Sequence, residues 1–145
     1  DGVYSVGIKP LAQGTGTVGV YIAGRASKCS DEVVSALQQE MNDKKGINIS
    51  VSVENATLTG VVIKLSISVK DGYYADDVKS QVQNEITEYF RKLCVGDGVK
   101  YCELGELIYH IDGVKNYIFD TSVTKEYEGD CTKLYTLGAV SITVV

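Results

Sequence analysis

The sequence predicts an α+β fold: a mainly antiparallel sheet with helices on one face, plus extra strands towards both chain ends. Three observations predict it. Several segments alternate apolar and polar residues, the period of a half-buried strand. Others repeat apolar residues at helical spacing, between the strands rather than apart from them. The 145 residues are one-domain length, and a hydrophobic share of 44% is enough to build a core without staples.

Taken in order, Tyr4, Val6 and Ile8 alternate with Ser5 and Gly7, giving a strand over residues 3–9 with Tyr4, Val6 and Ile8 facing inward. Val18, Val20 and Ile22 alternate with Thr17, Gly19 and Tyr21 in a second strand. Pro10, Gly14 and Gly16 supply the backbone angles that a reversal between them needs. Ser30 is placed to cap a helix, with Asp31 and Glu32 in its first turn. Val33, Leu37 and Met41, with Val34 beside them, form its apolar stripe, and Lys44, Lys45 and Gly46 form its stop. Two strong alternations follow. Ile47, Ile49, Val51 and Val53 make one; Val61, Ile63, Leu65, Ile67 and Val69 make the other. Asn55 to Gly60 would turn the chain between them into a hairpin.

Asp71-Gly72 ends that hairpin. A long helix is predicted from Asp76 to Leu93, with Val78, Val82, Ile86, Tyr89, Phe90 and Leu93 facing the core. Gly96-Asp97-Gly98 breaks the chain, and Val99 to Tyr101 reads as a short extended piece. A shorter helix runs from Cys102 to Ile111, with Leu104, Leu107, Ile108 and Ile111 inward; Asp112-Gly113 stops it. Val114 to Asp120 is a strand with Tyr117 and Phe119 on one face. Residues 121–137 are polar, with Glu126, Glu128 and Asp130, and read as loop. Val140, Ile142 and Val144 alternate in a last strand. Strand, helix, strand, strand, helix is the order of a ferredoxin-like split β-α-β sandwich. Residues 17–120 would be its core within one domain spanning 1–145, the strand over 3–9 and the loop and strand over 121–145 being the additions.

Composition narrows the function classes. A net charge of −5 argues against nucleic acid, whose phosphates call for clustered Lys and Arg. No apolar run approaches the roughly 20 residues of a membrane span, and no signal-peptide pattern is present. The chain starts at Asp1 and its one methionine is Met41, so we expect a piece of a longer protein. Cys29, Cys94, Cys102 and Cys131 contain no Cys-x-x-Cys pair, and His110 is the lone histidine. Reduced, mostly buried thiols are expected rather than a metal site or disulfides.

Chemistry-bearing motifs are sparse. Gly14-Thr-Gly-Thr17 lacks the lysine and the strand-to-helix context of a phosphate loop, so it reads as a reversal. Asp76 and Asp77 lie at a helix start, where the macrodipole favours carboxylates. Arg25 after one strand, with Asn48 on a neighbouring one, is the single arrangement that suggests phosphoryl binding. It defines the alternative reading: a small hydrolase or ligand-binding module using Arg25. His110 has no partner fixed by the sequence. Ten tyrosines without a tryptophan are unusual. Tyr21 on the open sheet face, and Tyr73, Tyr74, Tyr127 and Tyr135 near turns or loops, are the candidate contact residues, since a tyrosine offers an apolar body with a polar tip.

The ordered set of segments resembles the C-terminal part of the baseplate J-like family of phage tails and related contractile injection machines. The likeness is carried by the run from Val6 to Ile22 through Pro10, Gly14 and Gly16, and by Glu32-Val-Val-Ser-Ala-Leu37 with the alternating strand pair after it. It continues through Gly72-Tyr-Tyr-Ala-Asp-Asp-Val-Lys79, Tyr89-Phe-Arg-Lys-Leu93, Gly96-Asp-Gly-Val-Lys-Tyr101, Glu103 to Ile108, and Ile111 to Val114. It spans about Val3 to Phe119; the acidic stretch 121–137 departs from it. The resemblance implies a structural wedge subunit of a phage or prophage contractile-tail baseplate, with no catalytic residue, metal or cofactor. Its implied partners are other wedge proteins and copies of itself, without nucleic acid, membrane span or small-molecule substrate. The implied location is the virion tail, assembled in the bacterial cytoplasm.

Overall fold

A computed structural model describes residues 2–145; Asp1, where the sequence reading placed the chain's start, lies outside the described residues. Nine elements follow in order: β1 (Ser5–Pro10), β2 (Thr17–Ala23), α1 (Asp31–Lys44), β3 (Ser50–Asn55), β4 (Thr57–Val69), α2 (Ala75–Lys92), α3 (Tyr101–Tyr109), β5 (Val114–Phe119) and β6 (Lys133–Val144). The class is α+β, with the strands in two three-stranded sheets ordered β1-β2-β3 and β5-β4-β6. The chain divides into two compact units. The first holds the residues up to Thr59, with Leu93–Asp97 and Gly129–Tyr135; the second holds Gly60–Lys92, Gly98–Glu128 and Thr136–Val145.

In the first unit β1 runs antiparallel to β2, with Val6 opposite Ile22 and Ile8 opposite Val20. β2 lies parallel to β3, Val20 beside Val53, with α1 as the crossover and no strand between them. Helix and sheet meet because their apolar periods do. Val33, Val34, Leu37 and Met41 of α1 pack on Ile22, Cys29, Val53 and Val20. Ser30 occupies the N-cap position but makes no side-chain cap bond.

The inward face of β1 is the reverse of the one its alternation suggests. Ser5 and Gly7 are buried, while Val6 and Ile8 are 50% and 60% exposed. The physical reason is a second cover on the sheet's other face. Val95 N–H donates to Ser5 Oγ at 3.2 Å, and a Cβ on Gly7 would collide with the Cys131 carbonyl oxygen. The apolar partners of α1 come from β2 and β3, so Val6 and Ile8 overhang the covered area.

The predicted hairpin between the two strong alternations does not form. β3 starts at Ser50; Ile47 and Asn48 lie in a turn, where the Ile49 N–H donates to Gly46 O and Ile47 is fully solvated. Between β3 and β4 stands Ala56 alone, buried, its N–H donating to Ile22 O at 2.8 Å. No residue from Asn55 to Gly60 has the positive φ of a tight reversal. The chain therefore runs on, leaving the first sheet and entering the second.

In the second unit β4 follows its pattern: Val61, Ile63, Leu65 and Ile67 are all buried to within 1%. β5 pairs antiparallel with it, Leu65 opposite Phe119 and Ile67 opposite Tyr117, with a bulge between Ser68 and Val69. α2 buries Val78, Val82, Ile86 and Phe90 of the predicted stripe, with Tyr89 half-buried and Leu93 buried just past the helix, and α3 buries Leu104 and Ile108. Fully burying each such side chain is worth about 1.5–3 kcal/mol. Tyr101 stacks on Phe119 at 5.3 Å, so the predicted extended piece at Val99–Tyr101 is instead a single bridge from Val99 to Tyr127 followed by helix.

β6 begins seven residues before the predicted start at Val140. Lys133 to Leu137, read as loop, is strand, because Leu134 and Tyr135 are buried and pull a polar-looking segment into register. The thiols are not mostly buried as expected: among the four Cys29 alone is buried, Cys102 is exposed and Cys94 and Cys131 are half-buried.

Candidate functional site

The five candidate tyrosines have different fates. β4 ends in a turn in which Tyr73 N–H donates to Lys70 O and Gly72 takes φ +89°. The Tyr73 ring then covers Gly113, where an added Cβ would sit 2.7 Å from ring carbon Cδ1. Tyr74 follows at the start of α2, its carbonyl accepting from Val78 N–H. Tyr73 is 50% and Tyr74 80% exposed, so this turn presents two adjacent aromatic rings to solvent. Tyr21 is half-buried, opposite Gly7, with its ring laid along Gly19. Tyr127 is half-buried and its backbone bridges Val99. Tyr135 is buried in β6, a packing residue and not the loop anchor its neighbours suggested.

Arg25 and Asn48 do not meet. Arg25 follows the C-terminal end of β2, where its guanidinium carbon stands 4.4 Å from the Tyr4 ring centroid, a cation–π contact. It lines a shallow cavity of about 460 Å³ with Gly2, Val3, Tyr4, Gly24 and Ser27. Asn48 lies at the other end of the strand, its carbonyl oxygen 3.1 Å from where a Cβ on Gly16 would be. Seven strand residues separate those ends, roughly 20 Å, too far for one phosphoryl group.

His110 is the C-cap of α3; its Nδ1 lies 2.7 Å from Glu106 O. With Gln81, Asn84, Glu85, Glu106, Leu107 and Ile111 it lines a cleft of about 540 Å³ on α2 and α3. No serine, threonine or cysteine lines the cleft to act as nucleophile. Among the described residues no group of three His, Cys, Asp or Glu is placed to hold a metal ion.

Perturbed acidities belong to the fastening of surface segments. The Thr132 hydroxyl and N–H, ahead of the Lys133 ammonium, pull the Asp130 carboxyl down to about 2. Ser122 and Lys64 hold Asp120 below its usual range, and Lys44 does the same for Glu40. Burial pushes the Cys29 thiol up, away from reactivity.

Sequence reasoning missed two surface features. Leu11, at φ +56°, is 64% exposed in the β1–β2 turn. Its position beside Pro10 in a glycine-rich turn was the available signal. The other is the edge of β6, one of the two outer strands of its sheet, whose segment from Leu134 to Val145 contains no charged residue and no proline. No helix among the described residues is long and apolar enough to cross a membrane.

The phage-like element PBSX protein XkdT of Bacillus subtilis (strain 168) is 24% identical over 126 residues. The uncharacterized protein YqbT of the same strain is 25% identical over 126 residues. Each match takes in 81% of this chain and 36% of the relative, so the chain spans about a third of the length of these relatives. In a cryo-EM structure of the anti-feeding prophage (AFP) baseplate, one chain shares the fold with a TM-score of 0.55 and 13% identity. That match covers 86% of this chain and 29% of the other. The family model described as the Baseplate J-like protein C-terminal domain matches residues 61–143, more than half of the sequence, and the chain belongs to that family.

Proposed function

We propose that this chain is a structural part of a phage or prophage tail baseplate, and specifically of a wedge in a contractile tail. It works through protein–protein contacts and carries out no catalysis. The observation that carries this reading is the family match over residues 61–143. The relative from a phage-like element and the baseplate chain of like fold support it. So does the separation of Arg25 from Asn48, which leaves the phosphoryl-binding pair of the alternative reading apart. The partners are other wedge proteins and copies of the same protein, met in the bacterial cytoplasm during tail assembly and retained in the virion. The adjacent, exposed Tyr73 and Tyr74 are the contact residues, because exposed aromatic anchors lose little conformational entropy on docking.

The test is mass spectrometry of tail particles purified from the source host. The protein should be present in fixed ratio to the tail's other structural proteins. Tyr74→Ala, exposed and free to change without unfolding the chain, should lower incorporation by about tenfold, the loss of one modest contact. Particles that assemble and inject without the protein would refute the reading, as would phosphoryl or acyl turnover that Arg25→Ala abolishes.

A further inference from the structure

The two sheets have four outer strands, and three of them are guarded. β1 carries Lys9 and Pro10, and β5 carries Lys115, side chains that discourage strand addition. β3 is closed by a side chain: Gln38 Nε2 donates to Val51 O at 2.8 Å, and Gln38 Oε1 accepts from Val53 N–H at 2.7 Å. An amide thereby occupies the place that another strand's peptide would take. β6 carries a lysine at its first residue alone, Lys133, which is turned to Asp130 at 3.3 Å, and has no such device beyond it. From Leu134 to Val145 it has no charge and no proline, and Gly138, Ala139, Ser141, Thr143 and Val144 are exposed.

The hydrogen-bonding phase of this edge can be read. Val145 N–H donates to Ile67 O at 2.9 Å, so it points toward β4. Peptide groups alternate sides along a strand. The amides of Val144, Ile142 and Val140 therefore point outward.

We propose that this outer edge pairs antiparallel with β6 of a second copy of the chain, joining two sheets across a two-fold axis at Val140. The occupant is argued from self-complementarity. A two-fold pair must be its own partner, and like charges opposite one another weaken a strand pair. A chain of net charge −5 can meet itself along this edge because the edge itself is uncharged. In that register Ile142 faces Gly138 of the copy, large against small, Val144 faces Thr136, and Ala139 faces Ser141. The outward amides of Val140 and Ile142 then meet outward carbonyls. The inference gives a surface to the self-contact of the proposed function and rests on that reading for its setting; its test uses the chain alone, so its failure leaves the family and the baseplate reading standing.

Sedimentation equilibrium from about 10 μM to about 1 mM spans the weak range expected of a strand-edge interface. The chain should dimerise there, and amide exchange at Val140, Ile142 and Val144 should slow as concentration rises. Ala139→Lys/Ser141→Lys sets cations opposite one another at exposed positions and should weaken dimerisation by at least tenfold. Ala139→Lys/Ser141→Glu sets a cation opposite a carboxylate and should restore it. Ser35→Lys, on the exposed side of α1, should change nothing. A monomer at every concentration would overturn the proposal. So would a dimer indifferent to the double-lysine variant, or one whose slowed amides lie on another edge.

Discussion

At the scale of single residues, Thr124 does more than its type announces. It sits in a segment that looks like polar loop, yet it is fully buried. Its Oγ1 accepts from Lys64 N–H at 2.7 Å and donates to Lys64 O at 3.0 Å, pinning a remote segment to β4. Asp120 adds a backbone bond to the same Lys64 carbonyl and an ion pair at 3.0 Å to Lys64 Nζ. Thr124→Val keeps the shape and strands the Lys64 N–H away from water. With the Lys64 carbonyl still held by the Asp120 N–H, the one unpaired donor should cost about 1–3 kcal/mol, read as a lower urea midpoint, while Thr124→Ser should recover most of the loss. Nothing in the sequence marks Thr124, because a threonine in a polar run is ordinary until its partner, 60 residues away, is placed.

At the scale of elements, legibility followed the strength of the period. β4 and α2 carry unbroken patterns and bury most of the residues those patterns name, Val69 and Tyr89 being half-buried. β1 has an equally clean alternation, but its buried face was set by Val95 and Cys131 lying over Ser5 and Gly7. A six-residue strand with glycine and serine on one face and valine and isoleucine on the other offers either side, and the cover chooses. β3 shows the same dependence at its edge. Gln38→Ala should remove two bonds to Val51 and Val53 for about 1 kcal/mol of stability, since water replaces part of what is lost. Faster hydrogen exchange at the Val53 amide than in the parent protein is the expected readout; unchanged exchange would mean that Gln38 does not close the edge.

At the scale of the whole molecule, neither compact unit is a continuous stretch of chain. The first borrows residues 93–97 and 129–135, whose Gly96 N–H donates to Lys133 O and whose Thr132 O accepts from Thr57 N–H. Residues 1–59 alone should therefore fail to fold, having lost the cover over Ser5 and Gly7. Collapsed amide dispersion in a proton–nitrogen spectrum is the expected outcome; a dispersed spectrum would show that β1, β2, β3 and α1 suffice. The family match over residues 61–143 likewise includes those borrowed segments, so it does not coincide with either unit. The exposure of Tyr73 and Tyr74 was legible because a turn signal, Asp71-Gly72, precedes them; the burial of Tyr135 was not, because burial is a property of what packs on a residue.

The amino-acid sequence by itself determined the elements: where apolar residues recur every second or every third to fourth position, strand or helix follows, since those periods are fixed by backbone geometry. It also determined the family, through an order of segments. The tertiary structure alone decided which face of β1 is dry, that β3 and β4 join different sheets, and which strand edges stay open. Those outcomes depend on contacts between residues far apart in the chain, and a local period carries no record of its distant neighbour.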